Sequence, residues 1–512
     1  MKKFNRFLFS AAAVLMAAGS VGTMAACNGD GAVSGITTGD VNVVAYNGEK
    51  VTISFYHCMG SALKGILADG IEDFNEMYPN IEVQATSFGD YPGVRDQIST
   101  EISSKRAPSL AYCYPDHVAL YNKSAAVLPL DKHIESTITQ SKADGSTEQL
   151  GLTQAQIDDY VPIYYNEGKI YDDAGTMYTL PMLKSTELLY YNKTYFDNYN
   201  ATCTNEADKL KVPTTWDEME ETCAKILAIE NAKEGGKEKN PCIPLGYDSG
   251  ANWFITMTEQ LNSGYTISTA ERQQQIEETG SGSYFTFNNE TNRAFVERFR
   301  EWYQKGYVTT EEIFGSYTSD LFTQIEQGKT KTYMCIGSSA GAGYQCPDPK
   351  ADKSYPFEVG VAMIPQADTE NPTMISQGPS ICLFKKQNEQ EVAAAWLFAK
   401  FITSNIRFQA NCSKNNGYTP VIQSIKNDSV YKNFLNKADG NKYLQASSVL
   451  LTMEMKDYYF VSPAFIGSST ARDDMATLMK NCFKQPLEGK TASQLVKSQF
   501  DKIELGLKKY DR

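Results

Sequence analysis

Histidine is nearly missing from this 512-residue chain, which has only His57, His117 and His133. No C-x-x-C pair accompanies them, so the ligand spacing of a zinc site is absent. No G-x-x-x-x-G-K-[ST] loop or G-x-G-x-x-G fingerprint occurs, and no cofactor and no metal are expected. Basic surplus is missing too. With 48 Lys and Arg against 61 Asp and Glu, the formal charge is −13. That balance excludes nucleic acid as a partner, because no basic footprint exists to displace counterions from phosphates. After residue 27 no uncharged apolar run approaches the roughly 18 residues that cross a bilayer.

What is present begins with export. Lys2, Lys3 and Arg6 precede an apolar, small-residue run from Phe7 to Gly22, closed by Met24-Ala25-Ala26-Cys27. Charged start, short apolar core and small-residue exit describe a secretory signal over 1–26. The Cys after two Ala resembles a bacterial lipobox, with Met24 where Leu is usual, and implies lipidation of Cys27. The alternative is an ordinary signal cut nearby that leaves Cys27 unmodified. More than one acyl chain on that Cys gives stable anchoring. Residues 27–49 then read as a flexible tether, and the protein as extracytoplasmic and tied to the membrane surface by lipid. Losing residues 1–26 removes three basic side chains and no acid, which moves the charge from −13 to −16.

The remainder is long enough for two or three domains. The 42% apolar content and 31 Tyr of the full sequence suit a large core with an aromatic, wet surface. Ten further cysteines follow Cys27. Cys58, Cys113, Cys335 and Cys382 sit among apolar residues, as buried small hydrophobes do. Cys335 with Cys346, and Cys203 with Cys223 or Cys242, are candidate bridges; free buried thiols are the equal alternative.

Val51, Ile53 and Phe55 alternate with Thr52 and Ser54, which predicts a strand. Ser61 is placed to cap a helix carrying Leu63, Ile66, Leu67, Ile71, Phe74 and Met77, stopped by Pro79. Ile81, Val83 and Ala85 predict the next strand, so the opening is βαβ with a parallel sheet. The alternation continues through a strand at Leu188–Tyr191 and a Thr215/Glu218 capping box ahead of Trp216, Met219, Cys223, Ile226 and Leu227. A helix with Phe295, Phe299, Trp302 and Tyr303 ends at Gly306. Short strands at 357–364 and 379–384 and helices over 389–410 and 470–484 complete an α/β chain.

Gly337-Ser338-Ser339-Ala340-Gly341 matches the G-x-S-x-G elbow of hydrolases. No His follows residue 133, so the Ser, acid, His order cannot be completed. Small residues there also let backbone amides come close to a ligand. Asp116, Glu187, Asp473 and Asp474 are possible carboxylates for glycoside hydrolysis, with nothing singling out a pair.

In order along residues 50–510, His57-Cys58-Met59-Gly60, Asp73-Phe74-Asn75, Tyr78-Pro79-Asn80-Ile81, Leu180-Pro181, Leu189-Tyr190-Tyr191-Asn192-Lys193, Pro213-Thr214-Thr215-Trp216-Asp217-Glu218, Gly360-Val361-Ala362-Met363-Ile364-Pro365 and Asn416-Gly417-Tyr418-Thr419-Pro420-Val421 resemble extracellular solute-binding proteins of the family 1 type. These are the substrate-binding subunits of ABC importers. The resemblance implies a two-lobe periplasmic-binding fold of type II character, with discontinuous lobes and a ligand cleft between them that closes by hinge bending. Lobe 1 is expected over 50–181 plus 335–378 and lobe 2 over 182–334 plus 379–512. Hinge strands are expected near Leu180–Ser185, Met334–Gly337 and Gln377–Ser380. A membrane permease is the implied partner and a monomer the implied state.

The nearest likeness is to the glycerol-3-phosphate branch. It implies ligand contacts at Tyr91, in Gly89-Asp90-Tyr91; at Asp116; at Ser185; at Ser338 or Ser339; at Gly378; at Tyr418; and at Arg472. Packing roles for Tyr91 and Tyr418, and a surface ion pair for Arg472, stand beside these. Trp253 suits stacking on a sugar ring or burial in the core. Asp116 would accept from hydroxyls, while Arg472 and the serines would donate to a phosphate. The expected function is carbohydrate capture for import, without enzymatic activity. A glycerol-3-phosphate or glycerophosphodiester binder is the alternative, followed by a lipid-anchored glycosidase or an adhesin.

Overall fold

A computed structural model describes residues 33–350, 354–436 and 442–511. The expected signal peptide and the expected lipidation at Cys27 lie outside the described residues.

Two five-stranded sheets organise the chain. The first runs Ile81–Ser87, Val51–His57, Leu110–Cys113, Ser380–Leu383, Thr179–Pro181 in spatial order. Its first three strands are parallel and Ser380–Leu383 is antiparallel to both neighbours. Val51, Ile53 and Phe55 are buried, and so are Thr52 and Ser54, because helices cover both faces of this central strand. Phe398, on helix Glu389–Ser404, sits 5.9 Å from Phe55 and 5.2 Å from Phe74, whose helix is Ser61–Met77. Ser61 is the first residue of that helix and not its cap; Gly60 takes the cap position without a side-chain bond. The span expected as one helix over 389–410 is two, since Asn405 ends the first and caps Ile406–Asn416 through the Phe408 amide.

The second sheet runs Val359–Met363, Glu187–Asn192, Met334–Ser338, Leu245–Tyr247, Val308–Thr310. Helix Trp216–Ala232 on this side starts with the expected Thr215/Glu218 capping box, and Glu290–Lys305 ends at Gly306 with φ +77. Trp216, Phe299 and Trp302 pack together inside, with Phe299 and Trp302 ring centroids 5.0 Å apart.

Strand pairing corrects the expected lobe boundaries. Met334–Ser338 and Val359–Met363 flank Glu187–Asn192, so 335–363 belongs with the second sheet, not with 50–181. Ser380–Leu383 lies between Leu110–Cys113 and Thr179–Pro181, so the segment after 379 returns to the first sheet. The pairs that fix this are more than 140 residues apart in sequence, beyond any local pattern. Met334–Gly337 is therefore an interior strand and not a hinge. The segments that cross between sheets are 182–186, 375–379 and 418–421, joined by bridges Ser185 to Gln377 and Lys184 to Thr419.

Two further expectations change. Residues 33–49 are not a free tether. The Ile36 amide donates to the Lys105 carbonyl, the Ser34 amide to Glu391, and Tyr46 is buried against Tyr78. All ten described cysteines are free, so neither Cys335–Cys346 nor the Cys203 pairings exist here.

Candidate functional site

Between the two sheets lies a cavity of about 50 Å³. One wall is the start of helix Pro115–Asn122, with Tyr114, Pro115 and Asp116. A second is the crossing segment Ile375–Gly378, held by parallel pairing of Met374–Ile375 with Tyr459–Phe460. That pairing brings Val461, Ser462 and Pro463 alongside. Ser468 and Arg472, from helix Ser468–Lys484, and Tyr265 close the far side, while Glu167 reaches in from a short 3-10 turn. The volume suits one or two waters and no sugar ring, so a larger ligand enters only when the walls part.

Of the sequence-derived set, Asp116, Gly378 and Arg472 line this cavity. Asp116 Oδ2 is buried with no hydrogen-bond partner among the described residues. Gly378 has φ +89, and a Cβ there would lie 2.4 Å from the Leu183 carbonyl oxygen. Only glycine permits that approach of two crossing segments. Arg472 places its guanidinium 5.8 Å over the Tyr114 ring and donates to Asn252 Oδ1.

Tyr91 and Tyr418 sit one layer back. Tyr91 stacks between Tyr112, at 5.5 Å, and Tyr114, at 4.2 Å, while the Tyr418 and Tyr112 hydroxyls are hydrogen-bonded. Burial pushes the Tyr114 phenol up to about 12 and that of Tyr91 well above its ordinary value, so the stack is neutral and donates hydrogen bonds at any physiological pH. Helix Tyr91–Ser103 also bridges the cleft: Arg95 Nη1 lies 2.8 Å from Asp473 Oδ2 and 2.9 Å from Ser469 Oγ.

The remaining expected residues point elsewhere. Ser185 is buried and its backbone pairs with Gln377. Ser338 Oγ accepts from the Ala340 amide, and Ser339 Oγ accepts from the Thr186 amide. None of the three lines the cavity. The buried Ser339 hydroxyl is also unlike the exposed nucleophile of a hydrolase elbow. Trp253 is 0% exposed, stacked 4.8 Å from Tyr247, with the tilted Phe299 ring 4.2 Å away. No face of it is open to a sugar, which corrects the stacking expectation.

Sequence reasoning missed Glu167, Tyr265, Ser376, Gln377, Ser462 and Ser468. Glu167 offered one usable signal, a charge among the aromatic residues Tyr164-Tyr165-Asn166-Glu167. Behind Arg472, Asn252 bonds Glu187, which accepts from the Tyr247 hydroxyl at 2.6 Å. Burial pushes the Glu187 carboxyl up to about 7, against the pull of Tyr247, Asn252 and Arg472. No group of three or more His, Cys, Asp and Glu among the described residues is placed to hold a metal ion. No described helix is long and apolar enough to cross a membrane.

Comparison with known proteins gives a consistent picture. Residues 70–437 match the family described as bacterial extracellular solute-binding protein. The chain is 20% identical over 364 residues to a maltotriose-binding protein of Pyrococcus abyssi, covering 71% of this chain and 64% of that protein, slightly under two thirds of its length. It is 21% identical over 396 residues to the sn-glycerol-3-phosphate-binding periplasmic protein UgpB of Brucella abortus, covering 77% and 80% of the two chains. Among solved structures, UgpB from Mycobacterium tuberculosis in complex with glycerophosphocholine superposes with TM-score 0.65 at 16% identity, over 90% of this chain and 98% of that one. An ABC substrate-binding protein from Listeria monocytogenes in complex with cycloalternan gives TM-score 0.64 at 17% identity, over 90% and 100%. The two-lobe periplasmic-binding fold is thereby established.

Proposed function

Because the chain belongs to the bacterial extracellular solute-binding protein family, we propose that it captures a neutral carbohydrate between its lobes and delivers it to an ABC permease, without catalysing a reaction. The observation that carries this reading is Asp116. It lines the interlobe cavity with a buried carboxylate oxygen that has no hydrogen-bond partner among the described residues. Such an oxygen is costly until a donor reaches it; a sugar offers several hydroxyl donors, whereas a glycerol phosphate offers only those of its glycerol and none from its phosphate. Tyr114, Gly378, Ser376, Ser462 and Arg472 supply the rest of the wall, with Tyr91 and Tyr418 supporting it. A maltotriose-binding protein is similar in sequence, and a maltotriose complex and a cycloalternan complex share the fold.

The lobes divide as the sheets do: 50–181 and 379–416 around the first, 187–363 and 443–511 around the second. We further propose a lipid anchor at Cys27, an extracytoplasmic location and a monomeric state. The second reading, a glycerol-3-phosphate or glycerophosphodiester binder, is favoured by Arg472 on the cavity wall and by the UgpB relatives.

A thermal-shift screen of residues 28–512 separates the two. A ligand that binds only the native state stabilises it by about 4 kcal/mol at a thousand times its Kd. The expected result is a shift with maltotriose or raffinose that is lost in Asp116→Asn. A shift only with glycerol phosphates, lost in Arg472→Ala, establishes the second reading. No shift with either class refutes both.

A further inference from the structure

We propose that Glu167 is a further ligand-contacting and specificity-determining residue, whose Oε2 accepts from a saccharide hydroxyl while the buried Lys184 acts as its positioning residue. This deepens the carbohydrate reading and rests on it.

Glu167 lines the same cavity as Asp116 and Arg472. Its side chain is 2% exposed and that of Lys184 is 0% exposed. The Lys184 ammonium has three donors, and all are engaged: one with Glu167 Oε1, one with the Gly378 carbonyl at 3.3 Å, one with Ser380 Oγ at 3.1 Å. Lys184 therefore has neither surface nor a free proton for a ligand. Its partner is differently placed. Glu167 Oε1 is filled by Lys184 and by Ser380 Oγ at 3.2 Å, whereas Oε2 has one long contact, Ser376 Oγ at 3.4 Å. A carboxylate oxygen accepts about two hydrogen bonds, so Oε2 retains capacity in a residue that lines the cavity.

Charge sets the class of ligand. Lys184 offsets Glu167, and Arg472 and Asp116 line the same cavity with opposite charge. A neutral ligand with donating hydroxyls leaves that balance intact. A phosphate brought against Glu167 adds repulsion that Lys184, its three donors already engaged, does not offset. At its own position Glu167 thus favours a hydroxyl over a phosphate. The pair is also wired to the hinge: Lys184 bridges to Thr419, and the neighbouring Ser185 to Gln377, across the three crossing segments.

The test is titration calorimetry of full mature protein with maltotriose, raffinose and glycerol 3-phosphate. It uses wild type, Glu167→Gln, and Glu167→Gln combined with Lys184→Met. The double variant removes both charges together, which avoids leaving an orphaned buried ammonium. Loss of a charge-assisted hydrogen bond weakens neutral-sugar binding by roughly 10- to 100-fold. We expect that loss in a folded variant, together with a sugar-to-phosphate affinity ratio moved toward phosphate. Sugar binding unchanged, or both ligands weakened equally, overturns the role of Glu167 and leaves the carbohydrate reading standing. Wild type that binds neither sugar overturns the carbohydrate reading and this inference with it.

Discussion

Replacing Glu187 by Gln should flatten the pH dependence of stability. Glu187 is fully buried at the start of strand Glu187–Asn192, paired with Ser338. Burial raises its carboxyl from the usual 4.5 to about 7, with Asp248 adding to the rise. The folded protein therefore holds a proton on Glu187 up to about pH 7, while the unfolded chain releases it near 4.5. The group's contribution is fully present below pH 4.5 and is lost as pH rises through 7. The interval corresponds to about 3 kcal/mol. Gln keeps the acceptor for Tyr247 and the neutral charge, and cannot ionise.

Urea unfolding at pH 5 and pH 8, extrapolated to water, measures the effect. Asp248 and Glu311 are also raised, to about 6 and about 7, mainly by burial. They destabilise both proteins in the same direction, so the difference between wild type and Glu187→Gln reports Glu187 together with its coupling to Asp248. Wild type should lose about 2.5 kcal/mol more than the variant across that range, since at pH 5 the unfolded carboxyl is already largely ionised. Equal losses would refute the assignment of a buried, protonated Glu187. Ionisation at Glu187 also places a negative charge one residue from Arg472, through Asn252, so ligand affinity should respond to pH over the same window in wild type alone.

Asp473→Asn removes the Arg95 ion pair across the cleft. Asp473 is 53% exposed, so solvent screening limits the pair to about 1 kcal/mol or less. The ratio of closed to open protein should fall up to about fivefold at low salt, read as an increase in radius of gyration by small-angle scattering, with the effect vanishing at high salt. An unchanged radius at low salt would show that the pair does not hold the lobes together. Trp253→Ala should cost about 3–5 kcal/mol of stability by denaturant titration, as a core truncation does. It should leave the folded fraction's sugar affinity unchanged; lost affinity at full stability would restore Trp253 to the ligand.

Local structure was legible because its signals are local. Alternation at Val51, Ile53 and Phe55, helical spacing from Leu63 to Phe74, and the Thr215/Glu218 box each act within a few residues, and each is found as a strand, a helix and a cap. The helix break at Asn405 carried a capping signal too, overlooked beside the apolar run Ala393–Ile402. Lobe membership was not legible. Ser380 faces both Pro181 and Cys113, and Met334 faces Tyr191, pairings that only a complete fold brings together. Residues 33–49 read as tether since they lack periodicity. Hydrogen bonds to Glu391 and Lys385 hold the start of this segment, and Ile36, Val41, Val43, Val44 and Tyr46 pack on the core at spacings of no single period.

The partial success of the site residues has a structural cause. In this fold the ligand wall and the crossing segments are built from the same stretch of chain, so a motif marks both without separating them. Gly378 serves both, lining the cavity while letting 375–379 approach Leu183. Ser339 serves only the crossing, since its hydroxyl is spent on the Thr186 amide. Glu167 serves the ligand wall through a residue that the crossing supplies, Lys184, which lies in the Leu180–Asn192 stretch that marked the family. A lysine in a buried crossing requires a carboxylate partner. Asking which acid answers Lys184 leads to Glu167 and from there to the cavity. The buried charge was therefore a better pointer to the site than the serines beside it.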